Sequence, residues 1–197
     1  MSWEVLLVDR SPALVSAWSE AFDGCAECEI VQGNLFDHPA DAMVSPANSF
    51  GIMDGGLDLA IRERLGFAIQ NHVQAMILER YHGEMPVGAA EVLATDNHEW
   101  PHLVVAPTMR VPESVAHTLN AYLSFRAALL TVARFNRQEA GTIGRLVVPG
   151  LGTGIGGLEP RRCAAQMRVA YRHASGPARI PSFNEIHRVH RAMRSAI

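Results

Sequence analysis

The 197-residue sequence contains no lysine, so arginine supplies all 17 of its basic side chains. With 20 acidic side chains, the net charge is −3. A protein that coats nucleic acid neutralises phosphates with a basic face, so this charge predicts no extended nucleic-acid surface. A single bound nucleotide remains compatible with it, because backbone N–H groups at the start of a helix can hold phosphates.

Cysteine is scarce as well, with Cys25, Cys28 and Cys163 as the three thiols. Cys25 and Cys28 form a C-x-x-C, but no second pair follows at zinc-ligand spacing, and the histidines form no metal-type cluster. We therefore expect neither a metal site nor a cofactor. The odd number of cysteines and the lack of a secretory leader favour a cytoplasmic location. The apolar run over residues 1–8 is too short to cross a membrane.

A hydrophobic content of 48% with 19% charged residues is typical of one globular domain. Short apolar runs alternate with stretches of helical periodicity, which predicts an α/β fold with helices on both faces of a sheet. The predicted strands cover residues 3–8, 28–32, 42–45, 88–94, 102–106 and 146–148. The predicted helices cover residues 11–22, 57–65, 68–81, 113–135 and 161–173. We expect a single domain over residues 1–181 and a helical tail over residues 182–197.

Two glycine-rich loops each follow a predicted strand and precede a helix: SPANSFGIMDGGLD at 45–58 and GLGTGIGGLEP at 150–160. Ligands of open α/β sheets bind at the carboxyl ends of strands. Glycine lets a backbone approach a ligand closely and direct N–H groups at an anion. The two loops therefore predict a diphosphate site, although Gly55-Gly56 suits a tight structural turn equally well. Neither loop has a Walker lysine or the spacing of a dinucleotide-binding fingerprint.

The segments VQGNLFDHPADAMVSPANSFGIMDGGLDLAI and RLVVPGLGTGIGGLEPRRCAAQM resemble, in the right order, the two signatures of the macrodomain family. This ADP-ribose-binding family is also known for processing of ADP-ribose 1''-phosphate (Appr-1''-p). The resemblance spans residues 31–167. Within the family, the sequence resembles the ADP-ribosyl hydrolase branch. It implies a three-layer α/β/α fold with a mixed central sheet. It also implies that the partner is ADP-ribose or an ADP-ribosylated protein.

The resemblance also assigns roles to individual residues. It implies that Asn48 contacts the distal ribose and that Asp58, ten residues later, orients or deprotonates a water molecule. Asn48 also suits an Asx-turn, and Asp58 suits a first-turn carboxylate stabilised by the helix dipole. The implied ligand-binding residues are Gly33, Asn34, Leu35, Ala47, Phe50, Gly55, Gly56, Leu57, Gly152, Thr153, Gly154, Ile155 and Gly156.

The sequence departs from the family pattern at four positions. Asn34 replaces the aspartate that accepts a hydrogen bond from the adenine amino group, which removes a charge from that bond. Gly156 and Leu158 replace aromatic residues, so we expect a more open distal ribose pocket that Phe50 partly fills. Asp54 stands where the family usually has glycine, and we expect its carboxylate to point away from the phosphates or to bind a cation.

The sequence thus predicts a protein that binds ADP-ribose and hydrolyses ester-type ADP-ribosyl linkages, which is de-ADP-ribosylation. One alternative is a module that binds ADP-ribose without turning it over. Another is a hydrolase that acts on ADP-ribose 1''-phosphate or O-acetyl-ADP-ribose.

Overall fold

Six strands form one sheet in the computed structural model, which describes residues 3–138 and 143–195. The sheet order is β2-β1-β6-β3-β5-β4. The first five strands of this order are parallel, and β4 runs antiparallel to β5, so the predicted mixed sheet is confirmed. The strands are β1 (Glu4–Asp9), β2 (Cys28–Gln32), β3 (Ala42–Ser45), β4 (Glu91–Ala94), β5 (His102–Val105) and β6 (Arg145–Val148).

Helices cover both faces of the sheet, as the predicted three-layer α/β/α fold requires. One face packs against α1, α4 and α5, and the other packs against α2 and α3. The helices are α1 (Pro12–Ala21), α2 (Gly56–Leu65), α3 (Ala68–Tyr81), α4 (Asn120–Gln138), α5 (Pro160–Ser175) and α6 (Phe183–Ser195).

Strand β1 shows how two hydrophobic layers arise from one apolar run. Side chains alternate between the faces of a strand. Accordingly, Val5 and Leu7 join the core beneath α1, α4 and α5, whereas Leu6 and Val8 join the core beneath α2 and α3. All four side chains are buried. A parallel strand that is covered on both faces has a continuous apolar sequence for this reason.

The starts of α1 and α5 are fixed by capping residues. Ser11 Oγ accepts a hydrogen bond from Leu14 N at the start of α1. Glu159 accepts hydrogen bonds from the amides of Arg161 and Arg162 at the start of α5. In both helices a proline occupies the first helical position, where its missing N–H and fixed φ suit the helix. The loops before these two helices therefore have defined ends.

Some predicted bounds were wrong. The helix predicted over residues 113–135 begins only at Asn120, because residues 113–119 form a turn-rich segment in which Val115 N donates to Gly156 O at 2.7 Å. The strand predicted to start at residue 88 starts at Glu91, after Gly88 with its φ of 97°. The structure also contains an unpredicted 3₁₀ turn, Leu35–Asp37.

The C-terminal segment contains α6, which packs against α5 through the buried Met193. Two other apolar side chains of α6, Phe183 and Ile186, are exposed. The division into a domain over residues 1–181 and a tail over residues 182–197 stays a prediction. None of the helices in the two described ranges combines the length and apolar character needed to span a bilayer.

Candidate functional site

A cleft of about 640 Å³ lies at one edge of the sheet, where the chain leaves β1, β2, β3 and β6. These four strands are adjacent and parallel, so their carboxyl ends meet at that edge. Both glycine-rich loops line the cleft, the first through Gly55 and Gly56 and the second through residues 152–156. The two loops therefore face one shared space.

Most of the predicted site residues come together in this cleft. Those that line it are Gly33, Asn34, Leu35, Ala47, Asn48, Gly55, Gly56, Leu57, Asp58, Gly152, Thr153, Gly154, Ile155 and Gly156.

Phe50 does not line the cleft, and the expectation that it fills part of the distal pocket is wrong. Its ring lies beneath the Arg110 guanidinium, 5.2 Å from the ring centroid. Its backbone is held by Asn48 Oδ1 and by the side chain of Gln74. The neighbouring Ile52 lines the cleft instead.

Gly156 is glycine because its surroundings leave no room for a side chain. A Cβ there would lie 2.5 Å from Gly152 O and 2.6 Å from Val115 Cγ2. The segment that carries Val115 packs directly against the second loop. The aromatic residue that the family often has at this place is therefore excluded.

Gly55 and Gly154 are unlike Gly156, because a Cβ at either position would meet no atom within 4 Å. Gly55 has an extended backbone with φ −154° and ψ 162°, which any residue can adopt. Neither packing nor backbone conformation requires glycine at these two places. Their missing side chains keep the cleft open.

Asp58 is a carboxyl group of the cleft that is held by a defined hydrogen bond. It lies in the first turn of α2, and its Oδ1 accepts a hydrogen bond from Ser45 Oγ at 2.6 Å. Burial raises the pKa of this carboxyl from 3.8 to about 6, against the opposing effect of the Ser45 hydrogen bond. Sequence reasoning missed Ser45, although a polar residue that ends an apolar strand was the available signal.

Asn48 is held within its own loop. Its Oδ1 accepts hydrogen bonds from Phe50 N at 3.1 Å and Ile52 N at 3.2 Å, and its Nδ2 donates to Ile52 O at 2.7 Å. This is the structural role that the Asx-turn interpretation assigns. Since an amide nitrogen carries two hydrogens, one N–H of Asn48 is left for a ligand, and its contact with the distal ribose stays a prediction.

Asn34 also has partners at the other end of the cleft. Its Oδ1 accepts from Arg10 Nη2 at 2.9 Å, and its Nδ2 donates to Asp37 Oδ1 at 3.1 Å. Arg10, which sequence reasoning missed, lines the cleft beside Gly33. The carbonyl expected to accept from adenine is thus shared with a guanidinium, although its second lone pair can still accept one bond.

Asp9 joins two walls of the cleft and was also missed. Its Oδ1 accepts from Ser11 N at 2.8 Å, and its Oδ2 accepts from Gly150 N at 3.2 Å. The last residue of β1 therefore ties the start of α1 to the second glycine-rich loop. Within residues 3–138 and 143–195, no group of three or more His, Cys, Asp or Glu side chains is arranged to hold a metal ion.

The family model described as the macro domain matches residues 44–167, which include both glycine-rich loops. The chain belongs to the macro domain family. This macro domain is 31% identical over 143 residues to an uncharacterised protein of Aquifex aeolicus. The alignment covers 73% of this chain and 79% of the relative. An uncharacterised protein of Aeropyrum pernix is 30% identical over 141 residues. This alignment covers 72% of this chain and 68% of the relative.

Solved structures of other macrodomains share the fold. The macrodomain of Mycobacterium tuberculosis DarG has a TM-score of 0.58 at 21% identity, covering 71% of this chain and 86% of that one. The Oceanobacillus iheyensis macrodomain with ADP has a TM-score of 0.58 at 17% identity, covering 71% of each chain. Thermosipho africanus DarTG in complex with ADP-ribose has a TM-score of 0.59 at 16% identity, covering 88% of this chain and 54% of that one.

Replacing Gly154 by valine tests whether the cleft binds a ligand. We expect Gly154→Val to unfold within about 1 kcal/mol of the wild type, because the new side chain enters open space. Its affinity for ADP-ribose in calorimetric titration should fall at least about tenfold, which corresponds to 1.4 kcal/mol. Gly154→Ala should lose less, in proportion to its smaller volume. A folded Gly154→Val variant that binds as the wild type does would place the ligand elsewhere.

Asp54 gives an electrostatic test, because this exposed residue lines the cleft among the glycines. A carboxylate near a diphosphate is repulsive, so Asp54→Asn should bind ADP-ribose about two- to fivefold more tightly in low salt. The gain should shrink in 0.5 M NaCl. Glu63→Gln is the matched control, since it removes the same charge from an exposed position outside the cleft. Equal gains in both variants would mean that only the net charge matters.

The raised pKa of Asp58 predicts a pH-dependent stability. Its protonated form is favoured in the folded state, so the free energy of unfolding falls as the pH rises from about 4 to about 6. Asp58→Asn removes this ionisation and can keep the bond from Ser45. We expect urea unfolding to show the variant more stable than the wild type at pH 7.5 by about 1–3 kcal/mol, and nearly equal at pH 4. The same difference at both pH values would contradict the assignment.

Proposed function

We propose that this macro domain binds ADP-ribose in the cleft and hydrolyses ester-type ADP-ribosyl linkages. The observation that carries the proposal is the hydrogen bond from the buried Ser45 to the half-buried Asp58, in the same cleft as both glycine-rich loops. The ligand class is supported by two structures with the same fold, which contain ADP in one case and ADP-ribose in the other.

The diphosphate would lie between the two loops. Gly55 precedes α2 without a side-chain cap, so no capping side chain satisfies the first-turn amides of this helix. Such amides bind anions, and the positive end of the helix dipole adds to the attraction. The first-turn amides of α5 are instead satisfied by Glu159, so on that side the binding groups would be the amides of residues 152–156.

Asp58 would act as the general base. Ser45 holds Oδ1, which leaves Oδ2 to accept a proton from a water molecule as the water oxygen bonds to the anomeric carbon. The bond from that carbon to the acceptor oxygen breaks, and the acceptor carboxylate leaves with the electron pair. A pKa of about 6 suits this role, because a base works best when its pKa lies near the working pH.

An assay of ADP-ribose release tests the catalytic proposal. The wild type should release ADP-ribose from an acceptor modified on acidic side chains, at a rate that rises with pH through about 6. Asp58→Asn should be at least about 100-fold slower, which is typical of a lost general base, and should still bind ADP-ribose. Glu63→Gln is the control of equal charge change. If all three proteins bind ADP-ribose and none releases it, the hydrolase proposal fails.

A binding module is the second candidate, and the bonding of Asn48 favours it. Three hydrogen bonds tie this side chain to its own loop and leave one amide N–H, which can hold a ligand hydroxyl but cannot accept a proton from water. On this proposal the wild type and Asp58→Asn retain ADP-ribose equally and leave every linkage intact. The release assay therefore separates the two candidates.

A further inference from the structure

The charges of this chain are strongly segregated. Residues 160–195 contain eight arginines and a single carboxylate side chain, Glu185, whereas the whole chain carries a net charge of −3. Glu185 is already paired with Arg179. The arginines of this segment lie on α5, on α6 and on the connection between them. The segment 160–195 of an acidic protein is thus strongly basic.

A second cavity, of about 220 Å³, lies within this basic region. It is separate from the cleft, since no residue lines both. Its lining side chains come from the segment before α4, from α5 and from α6. They are Ala116, His117, Thr118, Arg162, Gln166 and Arg194.

Among the residues that the structure describes, the two guanidinium groups of the cavity have no acidic partner. Arg162 Nη1 donates to Ala116 O at 3.2 Å and lies 3.4 Å from His117 Nδ1. Within residues 3–138 and 143–195, the Arg194 side chain makes no hydrogen bond or ion pair, and no carboxylate lines the cavity. By contrast, Arg64, Arg80, Arg110 and Arg145 in the rest of the fold all form ion pairs with glutamates.

The framework of the cavity is well defined. Gln166 is fully buried, its Nε2 donates to Thr118 O at 2.9 Å, and its Oε1 accepts from Tyr122 N at 3.2 Å. These bonds fix the segment before α4 against α5. The buried Met193 anchors α6 next to Arg194. The two guanidinium groups therefore project from two helices, α5 and α6, that are packed together.

We propose that this cavity binds a phosphate group. The two positive charges of the guanidinium groups balance the two negative charges of a phosphate dianion. Their planar arrays of N–H donors match its oxygen atoms. An anion would also relieve the repulsion between two cations that share one cavity. The amides at the start of α5 take no part, because Glu159 caps them, so the site consists of side chains. This site does not depend on the function proposed for the cleft.

Titration with inorganic phosphate, followed by NMR, tests the proposal. The cleft is first saturated with ADP-ribose, so that a phosphate bound there does not contribute. We expect saturable shifts of the His117 ring signals and of the Nε–H signals of Arg162 and Arg194, with a Kd in the millimolar range or below. The same titration of Gly154→Val, whose cleft is blocked, should give the same shifts. Shifts that are absent, or that do not saturate, would overturn the proposal.

Two arginine variants locate the site. Arg194→Gln should weaken phosphate binding at least about fivefold, and Arg162→Gln should do the same. Arg188→Gln is the matched control, since it removes the same charge from an exposed position of α6 that does not line the cavity. Equal affinities of Arg194→Gln and Arg188→Gln would contradict the proposal. Because Arg194 is exposed and has no partner in the described part of the chain, its replacement should leave the free energy of unfolding within about 0.5 kcal/mol of the wild type.

A last titration identifies the source of the phosphate. A single-stranded oligonucleotide without a terminal phosphate presents only phosphodiesters. If a nucleic-acid backbone is the natural source, this oligonucleotide binds more tightly than inorganic phosphate, its affinity falls linearly with salt on logarithmic axes, and Arg194→Gln weakens it. If a small phosphate monoester is the source, adenosine-free sugar phosphates bind and the oligonucleotide does not. Binding of all these probes unchanged by Arg194→Gln would overturn the proposal.

Discussion

Parallel pairing of β2, β1, β6 and β3 is the constraint on which the cleft depends. It places the carboxyl ends of four strands side by side, although the loops that follow them lie far apart in the sequence. Asp9 then joins the end of β1 to Gly150 after β6, which fixes one wall of the cleft. The apolar residues of β1, β3 and β6 are buried on both faces, so the core that stabilises the fold also positions the loops.

The chemistry of the cleft follows from where polar groups end these strands. Ser45 ends β3 as a buried hydroxyl, and the carboxyl that it contacts is displaced towards its protonated form by the same burial. The stability of the folded state and the basicity of Asp58 are thus linked, since both depend on how far this carboxyl is removed from water. Burial of a titratable group generally lowers stability while it shifts the pKa of that group.

Sequence patterns predicted the elements whose formation depends mainly on residues that are close in the sequence. The segment 42–45 was predicted with the bounds that the structure has, because a short apolar run before a proline has few other possibilities. The spacing of Val115 and Leu119 also suits a helix, but the structure has none there. Val115 N donates to Gly156 O, and this contact with a distant part of the sequence outweighs the local preference. The position of Phe50 was missed for a similar reason, because Arg110 lies far from it in the sequence.

The side-chain contacts within the cleft were harder to predict from the sequence than the loops that form it. The two glycine-rich loops could be identified by composition alone. The partners of Asn34 and Asp58, which are Arg10 and Ser45, become neighbours only after the strands have paired. No spacing rule connects residues that meet through a sheet, so these hydrogen bonds required the structure.

The close approach of Val115 to Gly156 has a consequence for how this cleft can diverge. A side chain at position 156 would meet both Val115 Cγ2 and Gly152 O, so it demands a smaller residue at position 115 together with a shifted backbone at Gly152. Substitutions at positions 115 and 156 are therefore expected to be coupled across homologues. A lineage that regained an aromatic ring at position 156 would first have to withdraw the segment that now fills its place.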